Sequence, residues 1–452
     1  MDFLRGVDES ATGGPKSSVA TDAIKSRLAA GEAGFSATVR GMVHTIRDIG
    51  EVAFVILRLS RELVQCVYEE GVTGFDIKNL KEESAVEVTG TVNAERRAPQ
   101  GFEIRLKTIR ALSEPAAPLP IAISKWKLGT SLETKLELRP IILRNTRERA
   151  KFKLQEGIVR AFRDYLLGQG FTEIHTPKIV AKGAEGGANV FRLDYFNKKA
   201  ELGQSPQFYK QMMVGVYGRV FEAAPVFRAE KHNTTRHLNE YVSLDFEMGF
   251  IDSFTDVMDM ETGFLQYMRA LLEAEYAQEL RLLGVALPDV SRIPMVRFDE
   301  AKRLVSEKYS RPIRNPYDLE PEEEQLIGRY FQEEHGSEFV FVTHYPTKKR
   351  PFYAMDDPED ARFTLSFDLL FRGLEVTTGG QRVHGYSEIL RKAQLKGLDP
   401  DGMGDYLSIF KYGMPPHGGL GLGLERLAMR LLDETNVREA ALFPRDVNRL
   451  EP

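Results

Sequence analysis

FEAAPVFRAEKHNTTRHLNEYVSLDFEM, residues 221–248, decides the fold prediction for the longer part of this 452-residue chain. Polar and apolar side chains alternate on both sides of its Asn-Thr-Thr tip, and alternation places them on opposite faces of a strand. The stretch therefore predicts a β-hairpin with an apolar face on a core and a polar face turned elsewhere. The polar set comprises Glu222, Arg228 and Glu230 before the tip and Tyr241, Ser243, Asp245 and Glu247 after it.

Fixed charges of both signs beside a tyrosine are the groups that a polyphosphate, a metal ion and a flat base would require together. The alternative is an exposed hairpin whose charges form ordinary surface ion pairs.

Two further segments add to this chemistry. HGGLGLGLERLAMRLL (417–432) places glycines directly before a predicted helix with Arg426 in its early turns. Glycines allow the backbone to approach a ligand closely and a helix N-terminus favours anions, although tight helix packing explains the glycines equally well. FDLLFRGLEVTTGGQRVH (367–384) predicts strands, interrupted by the polar residues Asp368, Glu375, Thr378 and Arg382. Carboxylate and hydroxyl oxygens suit Mg²⁺, and a structural ion pair between Glu375 and an arginine is the alternative.

The first part of the chain has a different pattern. Residues 35–112 contain FSATVRGMVHTI, EVAFVILRL, ELVQCVYEE, AVEVTGTVNAE and FEIRLKTIRAL, β-rich runs separated by turn residues. Such strands predict a small closed barrel of the OB type, with a small sandwich as the alternative. Residues 1–34 are expected to form a flexible extension with a short helix near 22–29. A linker, 113–135, begins with the Pro-rich SEPAAPLPIAISKW. In the remaining residues, 136–452, a helix over 145–168 precedes irregularly alternating strands and helices, which favours an antiparallel α+β fold.

Composition limits the class of protein. A 42% hydrophobic and 28% charged content is typical of a globular protein of two or three domains. The single cysteine, Cys66, excludes a disulfide framework and a cysteine-based zinc cluster, and it fits the reducing cytoplasm. A net charge of −5 gives no overall attraction for nucleic acid, so an RNA-binding face must be a local patch.

The hairpin (221–248), the strands of 367–384 and the glycine segment (417–432) resemble three parts of class II aminoacyl-tRNA synthetases and occur in the same order. These parts are motif 2, the metal-binding strand and motif 3. GFTEIHTPKIV (170–180) resembles their motif 1, which forms the dimer interface in that family. QSPQFYKQMM (204–213) and the tail REAALFPRDVNRLEP are similar to aspartyl-tRNA synthetases of the archaeal and eukaryotic type, which lack the bacterial insertion domain. The resemblance implies an OB-fold anticodon-binding domain over 35–112 and a homodimeric catalytic domain over 136–452, built on an antiparallel sheet flanked by helices.

The resemblance also implies roles for the charged residues in ATP-dependent activation. The reaction brings a carboxylate against the α-phosphate, so cations must neutralise charge. By resemblance Arg228 contacts the α-phosphate, Arg426 contacts the γ-phosphate, and Arg236 and His237 fold the triphosphate back, while Glu230 meets the adenine and Tyr241 stacks on it. The implied ATP site is Arg228, Glu230, Arg236, His237, Tyr241, Glu375 and Arg426, with Arg228, Glu230 and Arg426 as the catalytic members. The implied Mg²⁺ ligands are Glu375, Thr378 and Asp368.

The implied aspartate site contains Glu185, Ser205, Gln207, Lys210, Asp245, Thr378 and Arg382. Lys210 and Arg382 match cations that receive the side-chain carboxylate, and an uncharged amide would leave them unpaired. Glu185 and Asp245 suit the ammonium group. Asparaginyl enzymes usually lack the lysine, so Lys210 favours aspartate over asparagine. The alternative is a surface lysine on an amphipathic helix.

His44 and Pro99 imply relaxed anticodon reading. Family members that are strict for the aspartate anticodon commonly carry Trp and Lys at these positions, and relaxed members carry His and Pro. We therefore expect a non-discriminating enzyme that charges both tRNA-Asp and tRNA-Asn and needs a tRNA-dependent amidotransferase to finish Asn-tRNA. His44 as a satisfied barrel residue is the alternative, and Met42 replaces the family's usual Trp.

Other functions stay open at this point. They are a discriminating aspartyl enzyme, an asparaginyl-tRNA synthetase, a tRNA-independent ligase that makes asparagine, an idle RNA-binding paralogue, and a synthetase that serves a dedicated biosynthetic pathway.

Overall fold

A computed structural model describes residues 17–60, 62–181 and 189–451. The chain divides into compact units between Gly129 and Thr130, a point inside the predicted linker. In the described ranges, no helix is long and apolar enough to cross a bilayer.

The first unit is a closed barrel with the strand order β1-β2-β3-β5-β4. Alternate residues of β4 are buried, because side chains along a strand point alternately into and out of a barrel. The strands are β1 (Ser36–Asp48), β2 (Val52–Arg58), β3 (Leu63–Glu69), β4 (Ala85–Ala94) and β5 (Phe102–Ser113), close to the predicted runs.

The described end of the extension packs on this barrel. Helix α1 (Ser17–Ala29) inserts Ile24 into the barrel core with Leu28 beside it, and Lys25 Nζ lies 2.6 Å from Glu62 Oε1. A flexible extension with a short helix near 22–29 was expected, and the described part contains a helix at that place. Ile24 and Leu28, four apart on one face of this helix, cover apolar surface of the barrel.

The second unit contains an eight-stranded sheet in the order β12-β13-β14-β15-β16-β11-β10-β6 and a three-stranded sheet in the order β7-β9-β8. Its strands are β6 (Thr172–Glu173), β7 (Ile179–Val180), β8 (Arg192–Tyr195), β9 (Lys198–Leu202), β10 (Arg219–Phe227), β11 (Glu240–Gly249), β12 (Met295–Arg297), β13 (Phe339–Thr343), β14 (Ser366–Phe371), β15 (Leu374–Arg382) and β16 (His417–Gly423). Its helices are α2 (Leu132–Glu137), α3 (Arg139–Ile142), α4 (Thr146–Gly168), α5 (Gln207–Tyr217), α6 (Thr255–Glu275), α7 (Ala277–Leu283), α8 (Phe298–Tyr309), α9 (Pro321–His335), α10 (Tyr386–Leu395), α11 (Gly404–Tyr412) and α12 (Leu424–Leu431).

The large sheet is mixed, whereas the sequence predicted an antiparallel one. Its central pairs are antiparallel, but β12 pairs in parallel with β13 and β10 pairs in parallel with β6. Helices α8 and α9 connect β12 to β13, and α5 precedes β10, so each pair has the long connection that parallel strands need.

The predicted hairpin forms around the tip at 233–235. Strands β10 and β11 pair from Arg219 opposite Met248 to Phe227 opposite Glu240. The predicted helix also forms, and its N-cap Asn145 accepts from the backbone N–H groups of Arg147 and Glu148.

The apolar face of the sheet packs on helices α4 and α6. The ring of Phe162 on α4 lies 5.8 Å from Phe221 on β10 and 5.3 Å from Phe264 on α6, both edge to face. Because Leu244 and Phe246 share this core, the intervening side chains of β11 point to the opposite face. That polar face forms the candidate site.

Candidate active site

One cavity of the second unit brings the charged residues together. Helix α5, the β10–β11 hairpin, β15 and the β16–α12 segment all contribute to its wall. The predicted site residues that line it are Ser205, Gln207, Lys210, Arg228, Glu230, Arg236, His237, Tyr241, Asp245, Glu375, Thr378, Arg382 and Arg426. The cations expected at the phosphates and those expected at the amino acid therefore share one cleft.

The glycines of 417–432 belong mainly to a strand and not to a helix N-terminus. Gly419, Gly421 and Gly423 alternate along β16, and Gly421 and Gly423 line the cavity. A Cβ atom on Gly419 would lie 2.2 Å from Glu247 Oε2, and one on Gly421 would lie 3.1 Å from Asp245 Oδ1. Glycine is needed here because buried carboxylates of β11 lie directly against the β16 backbone.

One end of the cavity contains a buried ion-pair cluster. Lys210 Nζ lies 2.9 Å from Asp245 Oδ1 and 3.5 Å from Glu247 Oε2, and it donates to Leu420 O across 2.7 Å. Arg382 Nε donates to Glu247 Oε1 across 2.8 Å. Lys210 is 1% exposed and Glu247 is not exposed. Such charges are tolerated in the interior because each has an opposite charge and hydrogen bonds.

Glu247 was not assigned a role from the sequence. Burial raises the pKa of its carboxyl, but Arg382 and Lys210 outweigh burial and hold that pKa below the ordinary value. Glu247 is therefore ionised and fixes both cations. Its place among the polar residues of β11 was the signal that could have identified it.

The other end of the cavity is cationic. Arg426 Nη1 donates to Glu375 O across 3.1 Å and lies 3.4 Å from Glu375 Oε1. Arg236 Nη2 lies 2.9 and 2.8 Å from the carboxylate oxygens of Glu324, and the Arg228 guanidinium carbon lies 5.7 Å from the centroid of the Tyr241 ring. Fixed guanidinium groups beside an aromatic ring suit a polyphosphate and a base.

Glu324 on α9 is a second residue that the sequence did not identify. It also accepts from the Glu375 backbone N–H across 3.0 Å, and burial together with Glu375 raises its pKa to about 7. It holds Arg236 against the cavity wall. No local pattern in α9 signals this contact, because the partners are 88 residues apart.

His237 contributes a neutral ring. Burial and the charge of Arg426 lower its pKa, and its Nδ1 lies 2.6 Å from Thr234 Oγ1. Its Nε2 lies 3.9 Å from Glu230 Oε2. The ring is therefore a hydrogen-bonding group and not an additional cation at neutral pH.

Of the three predicted metal ligands, two line the cavity and one does not. Glu375 and Thr378 line the cavity, with Thr378 Oγ1 3.3 Å from Glu375 Oε1. Asp368 is not among the lining residues; it is 4% exposed on β14, and its Oδ1 accepts from Arg350 Nη2 across 2.7 Å. Burial raises the pKa of Asp368 to about 6. Within the described ranges, no group of three or more His, Cys, Asp or Glu side chains is arranged to hold a metal ion.

The remaining predicted residues lie elsewhere. Glu185 falls outside the described ranges. In the first unit, Pro99 is exposed in the turn between β4 and β5. His44 is 4% exposed, and its Nδ1 lies 3.1 Å from Arg58 Nη1, which in turn pairs with Glu83 at 2.7 Å. His44 thus belongs to a buried charged network that the sequence did not indicate.

Comparisons with known proteins identify the family of each unit. The family described as tRNA synthetases class II (D, K and N) matches residues 131–447, and the OB-fold nucleic acid binding domain family matches residues 37–112. An aspartate–tRNA(Asp/Asn) ligase of Deinococcus radiodurans is 47% identical over 425 residues, which are 93% of this chain and 96% of that protein. One of Thermus thermophilus is 48% identical over 413 residues, 91% of this chain and 96% of that protein.

The fold also matches solved structures. The crystal structure of asparaginyl-tRNA synthetase from Pyrococcus horikoshii complexed with asparaginyl-adenylate has a TM-score of 0.85 at 32% identity, covering 93% of this chain and 97% of that one. The barrel is therefore an OB-fold, as predicted, and the mixed sheet with its helices is the class II catalytic fold. Because the family model covers residues 131–447 and these relatives match over most of its length, the chain belongs to the aspartate–tRNA ligases among the class II tRNA synthetases.

Proposed function

We propose that the enzyme activates aspartate with ATP and transfers it to the 3′ end of tRNA-Asp and tRNA-Asn. The observation that carries the proposal is the shared cleft, in which Lys210 and Arg382 lie at one end and Arg228 and Arg426 at the other. The D. radiodurans and T. thermophilus relatives, named aspartate–tRNA(Asp/Asn) ligases, support the same substrates.

The proposed chemistry needs position and charge and no protein nucleophile. A carboxylate oxygen of aspartate attacks the α-phosphorus of ATP and pyrophosphate leaves; a terminal ribose hydroxyl of the tRNA then attacks the acyl carbon and AMP leaves. Arg228 and Arg426 reduce the repulsion between the carboxylate and the triphosphate. Both guanidinium groups lie in a partly desolvated cleft, where such stabilisation of developing charge is stronger than in water.

We propose Glu375 and Thr378 as the protein ligands of Mg²⁺. Burial raises the pKa of Glu375, but Arg426, Arg236 and other cations outweigh it and keep the carboxyl ionised. A carboxylate next to a hydroxyl fits an ion that takes a few protein oxygens and completes its shell with phosphates and water. Bound Mg²⁺ would neutralise phosphate charge. Asp368 would act on this site only after a change of its pairing with Arg350.

The proposed tRNA range rests on the first unit. Asp and Asn anticodons differ at their last base, so acceptance of both tRNAs requires weak discrimination there. Pro99 is exposed in the turn between β4 and β5, and Pro cannot donate a backbone hydrogen bond or supply a cation. His44, which is 4% exposed and lies 3.1 Å from Arg58 Nη1, fits the alternative of a satisfied barrel residue, so Pro99 carries this part of the proposal. The proposed partner is a tRNA-dependent amidotransferase that converts Asp-tRNA-Asn to Asn-tRNA-Asn.

Charging assays test the proposal. We expect transcripts of tRNA-Asp and tRNA-Asn to accept aspartate with kcat/KM values within about tenfold of each other, and neither to accept asparagine. The variant Pro99→Lys is the matched probe, since it introduces the residue of strict enzymes in an exposed turn; it should lower aspartylation of tRNA-Asn more than that of tRNA-Asp. A strong preference of the unaltered enzyme for tRNA-Asp would refute the wider tRNA range and show a discriminating aspartate–tRNA ligase.

Other functions receive less support. An OB-fold domain that matches over 37–112 argues against a tRNA-independent ligase, and ammonia-dependent asparagine formation without tRNA would restore that alternative. The charged cleft argues against an idle paralogue. We further propose a cytoplasmic homodimer that pairs through the motif 1 segment 170–180, which light scattering with size exclusion would test as a mass of twice the 51.1 kDa chain.

A further inference from the structure

A hydrogen-bonded chain lies behind the amino-acid end of the cavity. Gln207 lines the cavity, and its Nε2 donates to Gln211 Oε1 across 3.0 Å. Gln211 Nε2 lies 3.0 Å from His417 Nε2, and Tyr406 OH donates to Gln211 Oε1 across 3.1 Å. Gln211 and His417 are not exposed at all. The proposed reaction does not use these three inner residues, so their polar contacts need a separate explanation.

The donors and acceptors of this chain run in one direction. The carbonyl oxygen of Pro415 can only accept, and it lies 2.9 Å from His417 Nδ1, so Nδ1 carries the proton. Burial lowers the pKa of His417 to about 4, so the ring is neutral and its Nε2 is an acceptor. Gln211 must then turn its NH₂ group to His417 and its Oε1 towards Gln207 and Tyr406.

The orientation of the Gln211 amide fixes that of Gln207, which lines the cavity. If the Gln207 amide were reversed, two carbonyl oxygens would face each other in a buried site at about the 3.0 Å of the present contact. Nε2 of Gln207 is therefore the atom held by Gln211, and Oε1 is the end of the amide left to meet a ligand. A carbonyl oxygen accepts from an ammonium group and repels a carboxylate.

We propose that Gln211, His417 and Tyr406 are positioning residues that hold Gln207 Oε1 as an acceptor for the α-ammonium group of the amino acid. The inference rests on the proposed aspartate site. The cations Lys210 and Arg382 attract either carboxylate of aspartate, so they do not by themselves decide which way the molecule lies. With Gln207 Oε1 fixed as an acceptor, an aspartate bound in the reverse direction would place a carboxylate against that oxygen. The hydrogen-bonded chain therefore helps to position the carboxylate that reacts.

ATP–pyrophosphate exchange on the full-length enzyme tests the proposal, with aspartate and ATP varied separately. Gln211→Met keeps the side-chain volume and removes both ends of the amide. We expect the KM for aspartate to rise about tenfold, as for the loss of one hydrogen bond to a charged group, and the KM for ATP to stay within about twofold.

A double-mutant cycle separates positioning from a structural role. Gln207→Ala removes the contact group, so Gln207→Ala/Gln211→Met should bind aspartate no more weakly than Gln207→Ala alone. Additive losses, or equal rises in both KM values, would overturn the inference. If Gln211→Met does not fold, Tyr406→Phe should show the same selective rise in the KM for aspartate by a smaller factor. Absence of aspartate-dependent exchange in the unaltered enzyme would instead refute the proposed function.

Discussion

Replacing Lys210 with Met removes one cation from the buried cluster and tests the amino-acid end of the cleft. Lys210 Nζ contacts Asp245 Oδ1 at 2.9 Å, Leu420 O at 2.7 Å and Glu247 Oε2 at 3.5 Å. A hydrogen bond to a charged group contributes about 1.5–3 kcal/mol, so loss of the contact to the substrate carboxylate should lower kcat/KM for aspartate by about 10- to 150-fold. Leaving the carboxylates short of one positive charge should lower the free energy of unfolding by about 3–5 kcal/mol.

The assay compares both substrates and a matched variant. ATP binding, followed by calorimetry, should change by less than about threefold, because Arg228 and Arg426 lie at the other end of the cleft. Lys302→Met is the control: its Nζ pairs with Glu323 at 2.6 Å in the same unit and is buried like Lys210, but it does not line the cavity. It should lose stability and keep its KM for aspartate. Equal losses of aspartate and ATP affinity in Lys210→Met would refute the assignment.

Three further outcomes follow from the contacts. Burial raises the pKa of Glu261 to about 8 from an ordinary 4.5. The stability of the fold is therefore highest below about pH 4.5, and up to about 4–5 kcal/mol of it is lost as the pH rises to about 8. Glu261→Gln should raise the melting temperature above that of the unaltered enzyme, and by more at pH 9 than at pH 6. Glu375→Gln should raise the Mg²⁺ concentration for half-maximal pyrophosphate exchange by at least about tenfold, and an unchanged Mg²⁺ titration would contradict the metal assignment. Gly419→Ala should abolish aspartate activation, because its Cβ would lie 2.2 Å from Phe246 O, whereas Gly423→Ala meets its nearest atom at 3.8 Å and should fold normally, as thermal melts would show.

The sequence predicted the parts of the fold that repeat over several residues. The hairpin alternates polar and apolar residues in its sequence, and β4 of the barrel alternates in burial, so each pattern is visible in one segment. The short edge strands β6 and β12 have two and three residues, too few for a period. Their parallel pairing depends on long crossovers, which is why the sheet was expected to be antiparallel.

The site could be predicted where one side chain has one obvious chemical use. Arg228, Lys210 and Arg382 line the cavity. The residues that position them did not stand out, because their partners are distant in sequence: Arg382 and Glu247 are 135 residues apart, and Gln211 and His417 are 206 apart. Such pairs exist only after folding, and a buried glutamate in one strand looks like any other polar residue until its partner is known.

Under the proposed aspartate site, the charge balance of the cluster around Lys210 would select the acidic amino acid. Lys210 and Arg382 are already neutralised by Asp245 and Glu247, so a ligand can only enter by exchanging partners within the cluster. The ammonium group of aspartate can pair with Asp245. Its side-chain carboxylate can then pair with Lys210, which Asp245 has released. Asparagine would also occupy Asp245 but would return no negative charge to the lysine, leaving it buried with the backbone oxygen of Leu420 and a distant contact to Glu247. A buried cation that loses its nearest carboxylate costs several kcal/mol, which is enough to favour aspartate over asparagine.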